Sequence, residues 1–241
     1  MKFIYDINNR FQGDKMKNVQ LSYLIDNDSP YYLGTTKPSI KPNNQIKKGD
    51  DYNTFNLCVG NHCGTHLDAP KHFIDKSKGI SDYDIEELIF YQPLVLERPK
   101  GSNELLEVKD LSDLDLKGYD CILFRTGFGK YRDENRDKYL TQNPGISLET
   151  IQWLREHYKN IRCLGIDSIS ISRYGDDDYA KKTHLAAFID DDNYGKPLLL
   201  IEDMNLTRIP KTKNSLNKLV IVPWNINGID SAPCNVIANI K

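Results

Sequence analysis

Short apolar runs, rich in β-branched and aromatic residues, recur along the chain between polar and turn-forming residues. Such runs are typical of β-strands, because branched and aromatic side chains fit a pleated, half-buried surface. They predict eight strands, at 19–25, 54–59, 94–97, 121–126, 161–166, 198–201, 218–222 and 235–240. Apolar residues at helical spacing are rarer, so we expect strands to outnumber helices.

One segment has the pattern of an amphipathic helix. Ile151, Leu154 and Tyr158 lie three or four residues apart, which places them on one helical face. Ser147, just before this pattern, is a candidate N-cap, because a serine side chain can accept a hydrogen bond from a free N–H of the first turn. The pattern predicts a helix over 148–158.

The rest of the chain is less regular. A second, weaker helix is predicted near 84–90. The segment from Asn27 to Asp51 contains three prolines and two glycines among polar residues, so we expect a long irregular connection there. We interpret 1–15 as a polar N-terminal extension and 16–241 as one mixed α/β domain.

Composition narrows the classes of function. Hydrophobic residues make up 39% of the 241 residues and charged residues 27%, so the chain can bury a core. Lys plus Arg number 32 against 34 for Asp plus Glu, which gives no basic surface excess for nucleic acid. No apolar run approaches the roughly 20 residues that span a bilayer, and the first 16 residues are too polar for a signal peptide. We expect a cytoplasmic protein with neither nucleic-acid nor membrane partners.

The five cysteines are scattered and form no CxxC pair, which argues against a disulfide framework and a tetrathiolate zinc site. The histidines are clustered instead: three of the five fall within the segment 61–73, NHCGTHLDAPKHF. Four candidate ligands occupy even positions there: His62, His66, Asp68 and His72. An extended chain would send them to one face, whereas a helix would not, and Pro70 disfavours a helix.

Imidazole and carboxylate groups together are good ligands for zinc, manganese or ferrous iron. The alternative is that the histidines are unrelated core or surface residues clustered by chance. The spacing differs from the HExxH helix of zinc proteases.

The segment resembles the signature HxGTHxDxPxH of the metal-dependent cyclase family, which includes bacterial kynurenine formamidases (arylformamidases) and isatin hydrolases. Seven residues match its fixed positions: His62, Gly64, Thr65, His66, Asp68, Pro70 and His72. The resemblance extends over roughly 17–241. It includes Leu21-Ser22, Arg125-Thr126-Gly127, Gly165-Ile166-Asp167, Leu200-Ile201-Glu202 and Ser231-Ala232-Pro233.

The resemblance implies a fold, a metal centre and a reaction. The fold would be a single mixed α/β domain of the swivelling β/β/α type. One or two divalent ions would bind, with zinc expected and manganese as the alternative. His62 and His66 would hold the first ion and His184 the second, while Asp68 and Glu202 would bridge them. His72 corresponds to the proton donor and acceptor.

The reaction implied is hydrolysis of an amide or formamide bond by metal-activated water, as in tryptophan catabolism, where the substrate is N-formylkynurenine. Tyr32 stands where formamidases of this family carry a tryptophan, so we expect it to contact a small-molecule substrate. Cys63 falls at an unspecified motif position, and we assign it no chemistry. A homodimer or tetramer is expected from the resemblance.

Two other functions stay open at this point. One is hydrolysis of a cyclic amide such as an isatin-like lactam, and the other is metal binding without catalysis on the same fold. The role of Asp167 is also open, because it could orient a ligand imidazole or cap a turn. The stretch between His184 and Glu202, which contains Asp190-Asp191-Asp192, looks longer than in compact formamidases.

Overall fold

The computed structural model describes residues 16–212 and 215–240. The strands are β1 Lys17–Gln20, β2 Ser39–Asn44, β3 Thr54–Cys58, β4 His66–Asp68, β5 Ile89–Phe90, β6 Pro93–Glu97, β7 Leu105–Leu106, β8 Cys121–Arg125, β9 Gly145–Ile146, β10 Cys163–Ile166, β11 Leu199–Glu202, β12 Leu216–Pro223 and β13 Ser231–Ile240. The α-helices are α1 Tyr131–Glu134, α2 Arg136–Thr141, α3 Leu148–His157 and α4 Asp177–Phe188. Short 3₁₀ helices cover Ile46–Lys48, Pro70–His72, Ile80–Asp82, Ile85–Leu88, Val108–Asp110, Phe128–Lys130 and Leu206–Arg208.

A mixed sheet of nine strands organises the molecule. Its order is β5-β12-β13-β4-β11-β10-β8-β6, and β1 pairs with β13. Strands β6, β8, β10 and β11 are parallel to one another, and β4 pairs antiparallel with both β11 and β13. Because β12 also packs against β6, the sheet is nearly closed. Two small sheets, β2–β3 and β7–β9, lie outside it.

Two hydrophobic clusters lie on the two faces of the parallel strands. In β8, Cys121 and Leu123 belong to one cluster, whereas Ile122 and Phe124 belong to the other. A strand buried on both faces needs a continuous apolar run instead of an alternating one, which is what the sequence contains. Helices α3 and α4 pack against each other on the second face. The predicted fold class, a single mixed α/β domain, is confirmed.

Several predicted elements agree with the structure. Helix α3 covers Leu148–His157, and the Ser147 side chain accepts a hydrogen bond from the Thr150 N–H at 3.0 Å, as its N-cap. The first strand is shorter than predicted, ending at Gln20. Residues 1–15 lie outside the described residues, so the proposed extension stays a prediction. Among the described helices, none is long and apolar enough to cross a membrane.

Two predictions were wrong. The weak helix near 84–90 is the 3₁₀ helix Ile85–Leu88 followed directly by β5, because the phenylalanine and isoleucine at its end pair with β12. The supposedly irregular segment from Asn27 to Asp51 contains β2, which forms a hairpin with β3. Pro42 is tolerated there because a two-stranded hairpin leaves one side of each strand unpaired.

Candidate metal centre

The histidine motif of the segment 61–73 lies at the centre of the main sheet. Strand β4 lies between β11 and β13, and its residues are buried. In this register His66 lies opposite Glu202. Because opposite residues on paired strands project to the same face, the Glu202 carboxylate lies next to the His66 imidazole.

The expectation that one extended face carries all four motif residues was wrong. Only His66 and Asp68 lie on β4, whereas His62 precedes it in a turn and His72 ends the 3₁₀ helix Pro70–His72. The turn uses Gly64 at φ +69, a left-handed conformation that glycine adopts without a Cβ penalty. Turns on both sides of the strand therefore bring the outer histidines back towards it.

His184 reaches the same place from α4, a helix that the sequence analysis did not predict. Its Nε2 lies 3.4 Å from Glu202 Oε1. The stretch between the two residues contains the end of α4 and a loop. Arg155 closes that loop by donating to the carbonyls of Ile189 and Gly195. The loop therefore leaves His184 and Glu202 in contact.

Four buried residues form what we call the inner half of the site: His66, Asp68, His184 and Glu202. His66 Nε2 lies 3.4 Å from Asp68 Oδ1 and 3.3 Å from Glu202 Oε2. The Nδ1 atoms of His66 and His184 each donate to a backbone carbonyl at 2.8 Å. Both rings therefore carry a hydrogen on Nδ1 and turn their Nε2 atoms towards the carboxylates.

The inner half contains buried polar atoms without partners. His66 Nε2 and both side-chain oxygens of Asp68 make no well-aligned hydrogen bond, although His62 Nδ1 lies 3.1 Å from Asp68 Oδ1. A buried carboxylate without well-aligned hydrogen-bond donors costs several kcal/mol, and a cation bound there would offset this cost. Ligand atoms of His62, His66 and Asp68 lie within 4.8 Å of one another, as do those of Asp68, His72 and His184. These donors fit a divalent ion such as zinc or manganese.

The pKa values reflect the same crowding of carboxylates. Burial lowers the pKa of His62, but the charges of Asp68 and Asp230 outweigh it and raise this pKa to about 10. Burial also lowers the pKa of His66 and His184, but the facing carboxylates of Asp68 and Glu202 outweigh it, so that both pKa values are raised. Burial and the Asp68 charge would raise the pKa of Glu202, but contacts from the histidines lower it to about 2. Each change favours the charged form, because imidazoles and carboxylates face one another at short distance across the site.

Three half-buried residues form the outer half of the site: His62, His72 and Asp230. Asp230 Oδ2 lies 2.7 Å from His72 Nδ1 and 3.1 Å from His62 Nε2. The Asn61 side chain donates to the other oxygen at 2.8 Å. Sequence reasoning missed Asp230, although it immediately precedes the Ser231-Ala232-Pro233 element quoted for the resemblance.

A buried hydrogen-bond network around Asp203 packs next to the inner half. Asp203 follows Glu202 with φ +51, and it accepts hydrogen bonds from Arg132 Nε at 2.9 Å and from the Tyr139 hydroxyl at 2.6 Å. The Thr65 hydroxyl of the motif donates to the Asp203 carbonyl at 2.5 Å. This network holds the end of β11 against the motif, which gives Thr65 a structural role.

The structure also decides the role of Asp167. Its carboxylate accepts hydrogen bonds from the backbone N–H groups of Thr126 and Gly127, at 2.7 and 2.9 Å. It caps the turn after β8 and contacts no imidazole of the site, so of the two roles left open only the turn cap fits.

A cavity of about 300 Å³ opens on the site. Tyr32, Phe73 and Ile169 form its apolar wall, and the site histidines and Glu202 line it. The loop that carries Tyr32 is fixed to the motif by a β-bridge between Tyr31 and Cys63. Cys63 itself is buried and its thiol faces the Pro30 carbonyl, in agreement with the view that it performs no chemistry.

Comparison with known proteins identifies the family. The model of a family described as putative cyclase matches residues 19–173. The chain belongs to the cyclase family. It is 33% identical over 122 residues to an uncharacterized protein of Haemophilus influenzae, which covers 48% of this chain and 82% of that protein. It is 22% identical over 219 residues to a kynurenine formamidase of Bacillus cytotoxicus, covering 91% of this chain and 95% of the relative.

Solved structures of cyclase-family relatives share the fold. Isatin hydrolase A from Labrenzia aggregata, bound to benzyl benzoate, superposes with a TM-score of 0.76 at 21% identity, covering 93% of this chain and 94% of that one. A protein described as a potential metal-dependent hydrolase with cyclase activity gives a TM-score of 0.68 at 20% identity, covering 94% and 98%. The resemblance inferred from the motif is confirmed, as is the fold class that it implied.

Proposed function

We propose that this cyclase-family chain is a metal-dependent hydrolase that cleaves an amide or formamide bond of a small aromatic substrate. The observation that carries this proposal is Asp68, a buried carboxylate without a well-aligned hydrogen bond that faces the imidazoles of His62 and His66 next to a cavity. A metal centre that opens on a cavity of substrate size is an arrangement typical of hydrolytic enzymes.

The residues that would hold the metal are His62, His66, Asp68, His184 and Glu202, with one or two ions per chain, zinc first and manganese second. When bound, a divalent cation polarises a carbonyl oxygen and lowers the pKa of water. The chain contributes the geometry: the Nδ1 hydrogens of His66 and His184 are bound to carbonyls, so neither ring can turn its Nε2 away.

The chain would also supply the proton transfer. His72 lines the cavity, and its Nδ1 is bound to Asp230. This leaves Nε2 to take up a proton as water attacks the substrate carbonyl, and to return it to the departing nitrogen. A noncatalytic metal-binding protein of the same fold would have no need of a hydrogen-bonded histidine at that place.

The cavity favours a flat aromatic substrate. Tyr32 and Phe73 provide aromatic faces for stacking, which fits an aryl formamide of the N-formylkynurenine type and a place in tryptophan catabolism. A cyclic amide is the second candidate. It is supported by the likeness to isatin hydrolase A and by tyrosine in the place of the tryptophan of formamidases.

The test is turnover by the zinc- or manganese-loaded protein of a panel of aryl formamides and of isatin-type lactams, with His72→Asn as the catalytic control. We expect hydrolysis of at least one class, and Tyr32→Ala should raise KM for it. A protein with bound metal that hydrolyses neither class would support the noncatalytic alternative and refute the proposal.

We propose further that two copies of the chain associate through the β2–β3 hairpin. Phe55 and Leu57, on the same face of β3, are 58% and 59% exposed. An isolated two-stranded sheet is marginally stable in water, so we infer that a second copy covers this face.

Light scattering after size exclusion should give a dimer or tetramer for the wild type and a smaller species for Leu57→Ser. Asn56→Ser, a change on the other face, should leave the assembly unchanged, and a monomeric wild type would contradict the proposal.

A further inference from the structure

We propose that Asp230 is a positioning residue that fixes the ring orientation and tautomer of both His62 and His72, an inference that rests on the proposed hydrolase function. Its Oδ2 is shared by the two imidazoles, at 3.1 Å from His62 Nε2 and 2.7 Å from His72 Nδ1. The two ring centroids are 4.2 Å apart. One oxygen therefore links a metal-ligand candidate to the proton-transfer histidine.

The tautomers follow from the chemistry of a carboxylate, which only accepts hydrogen bonds when ionised. His72 must then carry its hydrogen on Nδ1, which leaves Nε2 as the basic atom. His62 must carry a hydrogen on Nε2, which leaves Nδ1 facing Asp68 Oδ1 at 3.1 Å. Each histidine thus has a hydrogen on the side of Asp230, and its other ring nitrogen is left for the metal or for the substrate.

Asp230 is itself held in place. Its backbone carbonyl accepts from the Ala69 N–H at 3.0 Å, and its Oδ1 accepts from Asn61 at 2.8 Å. The next residue, Ser231, pairs with Asp68 in the sheet. The carboxylate is therefore anchored to both sides of the motif that it orients, so little ordering is needed when substrate arrives.

Replacing the carboxylate by an amide tests the hydrogen bond to His72 while the packing of the side chain is kept. Asp230→Asn preserves shape, but the amide nitrogen can donate to His72 Nδ1 and so favour the tautomer with the hydrogen on Nε2. A buried aspartate-to-asparagine change beside a catalytic histidine is known to act in this way and to cost about 10⁴-fold in kcat. For the half-exposed Asp230 we expect a loss of about 10²–10⁴-fold in kcat at saturating metal, with little change in KM.

The decisive measurement is the tautomer of His72, read from ¹⁵N chemical shifts and long-range ¹H–¹⁵N correlations of zinc-loaded protein labelled at its five histidines. We expect the Nδ1–H tautomer in the wild type and the Nε2–H tautomer in Asp230→Asn, with zinc retained. Asp75→Asn removes an exposed carboxylate three residues from His72 and should change neither the spectrum nor kcat.

Three results would overturn the inference. They are a wild-type His72 with its hydrogen on Nε2, an Asp230→Asn protein with an unchanged tautomer, and loss of zinc from that variant at saturating concentration, which would make Asp230 a ligand. The wild-type spectrum decides the first even if the variant does not fold. If the tautomer switches as expected but the wild type hydrolyses no amide, the positioning role stands and the proposed function fails.

Discussion

The two halves of the site use the same residue types in opposite ways. Each half pairs two histidines with carboxylate, yet the inner half is buried and leaves Asp68 without a hydrogen bond. The outer half borders the solvent, and both of its imidazoles are bound to Asp230. Buried acceptors without hydrogen bonds are suited to a cation, whereas His72, bound to Asp230 at the cavity wall, is suited to proton transfer. His62 faces both Asp230 and Asp68 and so links the two halves. Residue type alone would not separate the two roles.

The largest expected effect is in the inner half. Asp68→Asn removes the buried charge that faces His62 and His66, so divalent metal should be lost with the activity. We expect kcat/KM to fall by at least about 10⁴-fold, equivalent to about 5 kcal/mol in the barrier. Asp113→Asn, an exposed change, is the matched control. A metal-loaded Asp68→Asn enzyme of normal activity would remove the distinction between the halves.

In the outer half, His72→Asn should separate catalysis from metal binding. The change should lower turnover by about 10²–10⁴-fold, which is the usual contribution of a positioned acid–base group. Metal content should stay at the wild-type value, because the inner half is untouched. Parent-rate hydrolysis by the metal-loaded variant would instead assign His72 a packing role under Phe73, whose ring centroid is 4.5 Å away.

A smaller effect is expected on stability. A ligand at about 100 times its Kd stabilises the folded state by about 2.7 kcal/mol, so a chelator should lower the wild-type Tm by about 5–10 °C. Calorimetry with and without the chelator measures this directly. His72→Asn should show the same decrease, whereas Asp68→Asn should show almost none. An equal decrease in all three proteins would indicate an effect of the chelator unrelated to the inner half.

The local parts of the site could be predicted from the sequence. His62, His66, Asp68 and His72 fall within eleven residues, so chain connectivity alone keeps them close. Asp230 could not be predicted, because it lies 158 residues from His72 and meets it only since β13 pairs with β4. The spacing of apolar residues along the sequence does not indicate which strands pair in the sheet.

The helix that carries His184 was missed for a different reason. Helix α4 has a polar sequence, DDYAKKTHLAAF, with few apolar residues to reveal its buried face. A signal was nevertheless present at its start. Asp176 caps the helix by accepting from the Tyr179 N–H, and two aspartates follow in the first turn, a combination typical of a helix N-terminus. By contrast, the mixed α/β class was predictable from the recurring short apolar runs, because they need no knowledge of which strands become neighbours.

The central claim is that the inner half, together with His62, binds a divalent metal, and elemental analysis tests it most directly. Wild type and His66→Ala are purified side by side, equilibrated with zinc or manganese, freed of unbound ions and measured for metal per chain. We predict one or two equivalents in the wild type and a loss of at least one in His66→Ala, because His66 Nε2 faces both Asp68 and Glu202. A wild type without metal, or a variant with unchanged metal content, would contradict the account.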